Sequence, residues 1–274
     1  MIKVTSLRKM FGKSIILNDV SFEIEEGIIV GVIGKNGAGK TTLFRCLLNI
    51  CQYENGKVEN SSKCRKVIFD VPPKLRNFTV QQYLKYFILL YGDENDNQDR
   101  MNIDTILAKI NLVHFKDKKV SKLSFGMKKL LYISTLLIGK TEFVVVDEPF
   151  NGLDEVSRNI VKNIFVNLKR ECRATVIVSS HQHEQLEDIC DCYLKVENGN
   201  VNYVPSYKNR RLEILIADDV NILECCKKFF SDEVTVEELD GVKMALGKCL
   251  LEKPEKFTLK CIDKNAKETR NEIF

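Results

Sequence analysis

A chain of 274 residues that is 44% hydrophobic and 29% charged has the make-up of an ordinary folded protein, long enough for one large domain and a smaller appendage. Its 42 basic and 38 acidic residues leave a formal charge of +4, too balanced to argue by itself for a nucleic-acid partner. The longest apolar runs, such as Ile28–Ile33 and Phe143–Val146, fall far short of the ~20 residues that cross a bilayer. With no charged-then-apolar leader, a cytosolic address is expected.

In chain order, Ile2–Leu7 and Val20–Ile24 alternate apolar and polar residues, as half-buried strands do. Ile28–Ile33 is continuously apolar and rich in β-branched residues, the pattern of a strand covered on both faces. A glycine-rich loop follows, then a helix over Thr41–Asn49 and a short strand around Val67–Phe69. From Thr79 to about Leu137 the spacing turns helical: Val80, Tyr83, Leu84, Phe87, Ile88 and Tyr91 share one helix side. Ile103, Ile106, Leu107 and Ile110 mark a second helix, and Leu130–Leu137 belongs to a third. Strands return at Phe143–Val146 and Ala174–Val178, separated by a helix over Glu155–Arg170. Strand, helix, strand in that order implies a parallel sheet with crossover helices. After the turn Asn198-Gly199-Asn200, strands at Leu212–Ile216, Val234–Val236 and Phe257–Cys261 and a helix over Val220–Phe230 make an α+β tail without a chemical motif.

Ten cysteines invite a metal or disulfide interpretation, but no two CxxC pairs occur and no histidine lies at zinc-finger spacing. Reduced thiols packed as small hydrophobes are expected instead.

Gly34-Lys35-Asn36-Gly37-Ala38-Gly39-Lys40-Thr41 fits GxxxxGK[ST], with a strand before it and a helix after it. Glycines let backbone N–H groups close around phosphate oxygens, and the helix presents its positive end to the same anion. Lys40 can reach the β- and γ-phosphates, and the Thr41 hydroxyl can ligate Mg²⁺. Further on, the apolar run Phe143–Val146 ends in Asp147-Glu148. Ligands of doubly wound sheets bind beyond the carboxyl ends of strands, which sets Asp147 beside the metal and Glu148 where it can polarise an attacking water. A glycine turn and a pair of solvated acids are the bland alternatives; each explains one motif and neither explains both.

Together with three further sets, these residues resemble the ATP-binding cassette family over residues 1 to about 204. Leu123-Ser124-Phe125-Gly126-Met127 stands where that family has its LSGGQ signature, Asn151-Gly152-Leu153-Asp154 looks like its D-loop, and Ser179-Ser180-His181 follows the next strand as the switch histidine does. Phe11 is similar to the aromatic that stacks on adenine. The resemblance implies an α/β P-loop NTPase with a parallel or mixed core sheet, an N-terminal antiparallel β subdomain and a helical insertion over about 78–137. Residues 205–274 would form a small α+β appendage.

The nucleotide set it implies is Phe11, Gly34, Asn36, Gly37, Ala38, Gly39, Lys40, Thr41, Thr42 and the D-loop's Asp154, completed by Ser124 and Gly126 of the other subunit in a head-to-tail dimer. Glu148 and His181 would be catalytic, and Thr41, Asp147 and Asp70 the metal side. Two departures stand out: Phe125 and Met127 replace a signature glycine and glutamine, and Asp70 stands nearest to the expected Q-loop glutamine. The Phe-Gly-Met variation resembles cassettes of bacterial exporters for peptides and antibiotics. The family thus implies an ATP- and Mg²⁺-dependent transport ATPase working with a membrane permease on another chain and a second cassette subunit, at the inner face of the membrane. An alternative is a cassette acting on nucleic acid or ribosomes, though neither a second cassette nor an inserted coiled coil is present. A catalytically weak regulatory cassette is a third, against which Glu148 and His181 argue.

Overall fold

A computed structural model describes residues 1–69, 75, 77–92 and 102–204 in full, together with the backbone of residue 205 and of five strands between 210 and 273. The chain divides into two compact units, Met1–Pro205 and Ser206–Phe274.

The first unit opens with an antiparallel sheet of β1 (Ile2–Phe11), β2 (Ser14–Ile24) and β4 (Asn55–Asn60), in the order β2-β1-β4. β4 reads NGKVEN and carries one apolar residue, so its register against β1, rather than any pattern of its own, makes it a strand. The second sheet holds β3 (Ile29–Ile33), β5 (Arg65–Ile68), β6 (Phe143–Val146), β7 (Thr175–Ser180), β8 (Cys192–Glu197) and β9 (Asn200–Pro205). Its order is β5-β6-β7-β3-β8-β9, parallel throughout except for the hairpin strand β9.

Two cores explain the continuous apolar runs. Successive strand side chains point to opposite faces. Val144, Val146, Val176 and Val178 enter one core with the helices α2 (Val80–Tyr91), α3 (Ile103–Lys109), α4 (Phe125–Ser134) and α5 (Glu155–Cys172). Their alternates Phe143, Val145 and Ile177 join Val30 and Val32 in a second core, with α1 (Lys40–Leu47) and the small sheet. Each of these valines is fully buried, worth roughly 1.5–3 kcal/mol apiece relative to exposure.

Local signals fix the helices that flank the site. α2 starts at a capping box in which the Thr79 hydroxyl accepts from Gln82 N at 3.2 Å and Thr79 N donates to Gln82 Oε1 at 2.9 Å. Of its expected apolar side, Val80, Tyr83, Leu84 and Phe87 are buried, whereas Tyr91 lies half exposed at the helix end. α5 is capped by Asp154 and stops at Arg173, whose φ of 51° is left-handed. The expected third helix is α4, which begins five residues earlier at Phe125, with Thr135–Leu137 tightening into a 3₁₀ turn.

In the second unit the described strands β10 (Arg210–Leu215), β11 (Thr235–Leu239), β12 (Val242–Gly247), β13 (Thr258–Asp263) and β14 (Arg270–Ile273) pair antiparallel in the order β11-β12-β10-β13-β14. The expected helix over Val220–Phe230 lies outside the described residues, as does Asp70.

None of the six described cysteines is in a disulfide. Burial and the neighbouring Cys51 push the Cys46 thiol up to about 12, and burial takes Cys192 to about 11, so neither ionises near neutral pH. Among the described residues no helix is long and apolar enough to cross a membrane.

Candidate functional site

Strand β7 lies between β6 and β3, so the carboxyl ends of three neighbouring parallel strands deliver their loops to one place. From β3 comes the glycine-rich loop, from β6 Asp147 and Glu148, and from β7 Ser179, Ser180 and His181.

A cavity of about 310 Å³ opens there, lined by Phe11, Ile16, Lys35, Asn36, Gly37, Gly39, Lys40, Thr41, Thr42, Asp147 and Glu148. Gly34 cannot carry a side chain, because a Cβ would fall 2.4 Å from the carbonyl oxygen of Val196 in β8. Gly39 turns the chain into α1 with φ 107°, a conformation that side chains disfavour. Lys40, the first residue of α1, is buried, and its Nζ donates to the carbonyl oxygens of Gly34 at 2.7 Å and Lys35 at 3.3 Å. The same Nζ lies 3.1 Å from Glu148 Oε1. The ammonium is thus folded back across the loop that it belongs to.

The two acids have different surroundings. Asp147 is clamped: Thr41 Oγ1 donates to its Oδ2 and Ser179 Oγ to its Oδ1, both at 2.6 Å. Glu148 is held through its backbone, its N–H donating to Ser179 Oγ at 2.8 Å, and its φ is 46°, in the left-handed region that costs a non-glycine residue roughly 1–3 kcal/mol. Its Oε2 lies 3.0 Å from His181 Nδ1. Its Oε1 is buried and, despite the nearby ammonium, takes no aligned hydrogen bond. That oxygen is held by the charge of the Lys40 ammonium rather than by an aligned hydrogen bond.

Thr41 Oγ1 and the Asp147 carboxylate are hard oxygen donors side by side on the same wall, the type that Mg²⁺ takes. These residues fit such an ion. Phe11 ends β1 at the cavity edge with its ring about half exposed and Lys9 Nζ 4.9 Å from its centroid.

Gly34 and Ala38 belong to the loop itself, and His181 joins the cavity through Glu148. Ser124, Gly126 and Asp154 do not line this cavity. Ser124 caps α4, its exposed hydroxyl accepting from Met127 N at 3.2 Å, and Gly126 follows in the first turn. Asp154 caps α5, and the Ser157 N–H bonded to it at 2.8 Å holds its carboxyl below the usual range. The segments that carry them touch elsewhere: a Cβ on Gly152 would fall 2.7 Å from the Phe125 ring, and Leu153 lies against Gly126.

The sequence assigns no role to Ser179, although this one hydroxyl orders both acids. Its only signal is a hydroxyl after the apolar run Val176-Ile177-Val178, two residues ahead of His181. Ile16 and Lys35 are likewise cavity residues that no motif singles out.

A glycine-rich loop between a parallel strand and a helix, with an acid clamped onto the loop's threonine, defines the class of P-loop nucleoside triphosphate-binding proteins. Comparison with known proteins narrows this. The sequence profile of the family described as ABC transporter matches residues 17–151. An uncharacterised ABC transporter ATP-binding protein of Methanocaldococcus jannaschii is 36% identical over 72% of this chain and 74% of its own length. The bacitracin transport ATP-binding protein of Bacillus licheniformis is 32% identical over 88% of this chain and 83% of its own. A solved ATP-binding subunit of an ABC transporter superposes with a TM-score of 0.66, covering 76% of this chain and 90% of that one at 22% identity, a likeness of fold. The chain belongs to the ATP-binding proteins of ABC transporters.

Proposed function

We propose that this chain hydrolyses ATP as the motor subunit of an export system, with Mg²⁺ as cofactor and a permease on a separate chain as partner. What carries the proposal is Glu148: a carboxylate at the cavity wall, set between His181 Nδ1 at 3.0 Å and the Lys40 ammonium at 3.1 Å. A carboxylate so placed is equipped to take the proton of a water attacking the γ-phosphate. His181 orients it through Oε2, and Ser179 fixes its backbone. Lys40 exchanges its carbonyl partners for phosphate oxygens, a charge-assisted set of bonds stronger than the neutral ones it now makes. Thr41 and Asp147 would hold Mg²⁺, whose charge when bound offsets that of the β- and γ-phosphate oxygens. The half-exposed face of Phe11 offers a stacking surface for the base.

Ser124, Gly126 and Asp154 act across a head-to-tail dimer, on the triphosphate of the partner cassette. Their position away from this chain's own cavity supports that arrangement, as does the exposed Ser124 hydroxyl at the tip of α4. ATP would then favour the closed pair and hydrolysis would release it. Residues 1–204 are the cassette, with a helical insertion over about 78–137 and the loop around Asp70 to Phe78 as its contact with the permease at the inner membrane surface, and 205–274 are an appendage. Similarity to a bacitracin transport subunit supports a peptide or antibiotic cargo.

Glu148→Gln tests the proposal. Turnover should fall by about 10²–10⁴-fold, the worth of a general base, while an ATP-bound dimer persists on size-exclusion chromatography. Equal rates for the two proteins would overturn it.

A further inference from the structure

Glu148 stands in a backbone conformation that side chains disfavour, and such strain persists only where the surroundings over-determine it. Its N–H is taken by Ser179, from β7. Its carbonyl oxygen is taken from the opposite side by Lys129, in the second turn of α4: Nζ donates at 2.8 Å to Glu148 O and at 3.1 Å to Asn151 O. The only backbone bond that closes this turn, from Asn151 N to Glu148 O, is long at 3.5 Å. The loop from Glu148 to Asn151 is therefore bridged by a side chain rather than by itself.

Lys129 is 3% exposed. A buried ammonium is costly unless its donors are met, and two of its bonds here go to carbonyls of the loop that carries Glu148. The Phe125 ring lies 5.9 Å from Nζ and rests against Gly152. Phe125 stands where the family has glycine, so the aromatic ring and the buried lysine form one device on the same helix.

We infer that Lys129 is a positioning residue for ATP hydrolysis, holding the Glu148 backbone so that the carboxylate keeps its place between Lys40 and His181. The inference rests on Glu148 being the base. It also gives α4, whose tip carries Ser124, a direct mechanical link to the base of its own chain. A group that touches neither nucleotide nor metal but sets the aim of the base should change the chemical step and leave binding alone. A misplacement of about 1 Å costs on the order of 10²-fold in rate.

The test is Lys129→Met, which keeps the chain length and removes the donors, beside Lys129→Arg, which keeps a cationic donor. In the full-length protein, kcat should fall about 10- to 100-fold in the Met variant. KM for ATP should stay within about twofold, and the Arg variant should recover most of the loss. Amide exchange of residues 150–153 should quicken in Met and not in Arg, in the nucleotide-free protein. Wild-type kcat in Lys129→Met, a rise in KM that accounts for the loss, or unchanged exchange would overturn the inference. If Glu148→Gln hydrolyses ATP like wild type, the base assignment fails while the exchange measurement still decides whether Lys129 orders the loop. Should Lys129→Met not fold, Lys129→Leu, which likewise has no donor, is read in the same way.

Discussion

Ser179→Ala removes one oxygen atom and disturbs both acids at once. The hydroxyl, fully buried, donates to Asp147 Oδ1 at 2.6 Å and accepts from Glu148 N at 2.8 Å. Losing a hydrogen bond to a charged group costs roughly 1.5–3 kcal/mol, and leaving a buried N–H without an acceptor roughly 1–3 kcal/mol more. Burial prevents water from substituting freely, so about 3–5 kcal/mol of stability should go. For a unit of this size, about 2–4 °C per kcal/mol, the melting temperature should drop by about 10 °C. Thermal unfolding followed by circular dichroism measures this, and a cycle with Asp147→Asn should show coupling of at least ~0.5 kcal/mol between the two residues. A drop under about 2 °C, or strict additivity in the cycle, would mean that the strand ends are not held by this hydroxyl.

Gly34→Ala places a Cβ 2.4 Å from the Val196 carbonyl oxygen, which as backbone cannot swing aside. The loop must move instead, at an overpacking cost of about 1–3 kcal/mol, and ATP affinity by equilibrium dialysis should fall with the melting temperature. Glu142 offers a pH effect. Lys140 beside it, with the N–H groups of Lys63 and Cys64, holds its carboxyl down to about 2. A depressed carboxylate lends stability above its unfolded value, about 4.3, and that share is lost as pH falls through the folded one. Wild type should therefore exceed Glu142→Gln in urea midpoint by a constant amount above about pH 5, the gap closing toward pH 2; a gap that widens on acidification would contradict this.

Much of the fold was legible because the signals are local. Phe143–Val146 is read from the sequence with the bounds the structure gives it, since four apolar residues ahead of two acids leave little choice. Val80, Tyr83, Leu84 and Phe87 announce α2 by spacing alone. β4 escaped because NGKVEN has no alternating pattern; its pairing with β1 makes the strand. β8 escaped too, although its CYLKVE alternates in burial at its outer end, because its place beside β3 is a long-range fact.

The sequence by itself determined the chemistry on offer: a loop able to wrap phosphate, a threonine and an acid for a metal, a glutamate with a histidine to follow. Residue type and spacing suffice there, since those motifs are runs of neighbours. Only the tertiary structure decided how they meet. The strand order β6-β7-β3 brings 147, 179 and 41 within hydrogen-bond reach, and one buried hydroxyl and one buried ammonium, far apart in the chain, take the two backbone groups of Glu148. Such contacts join residues that are separated by 19 to 106 positions, and no period or motif records them.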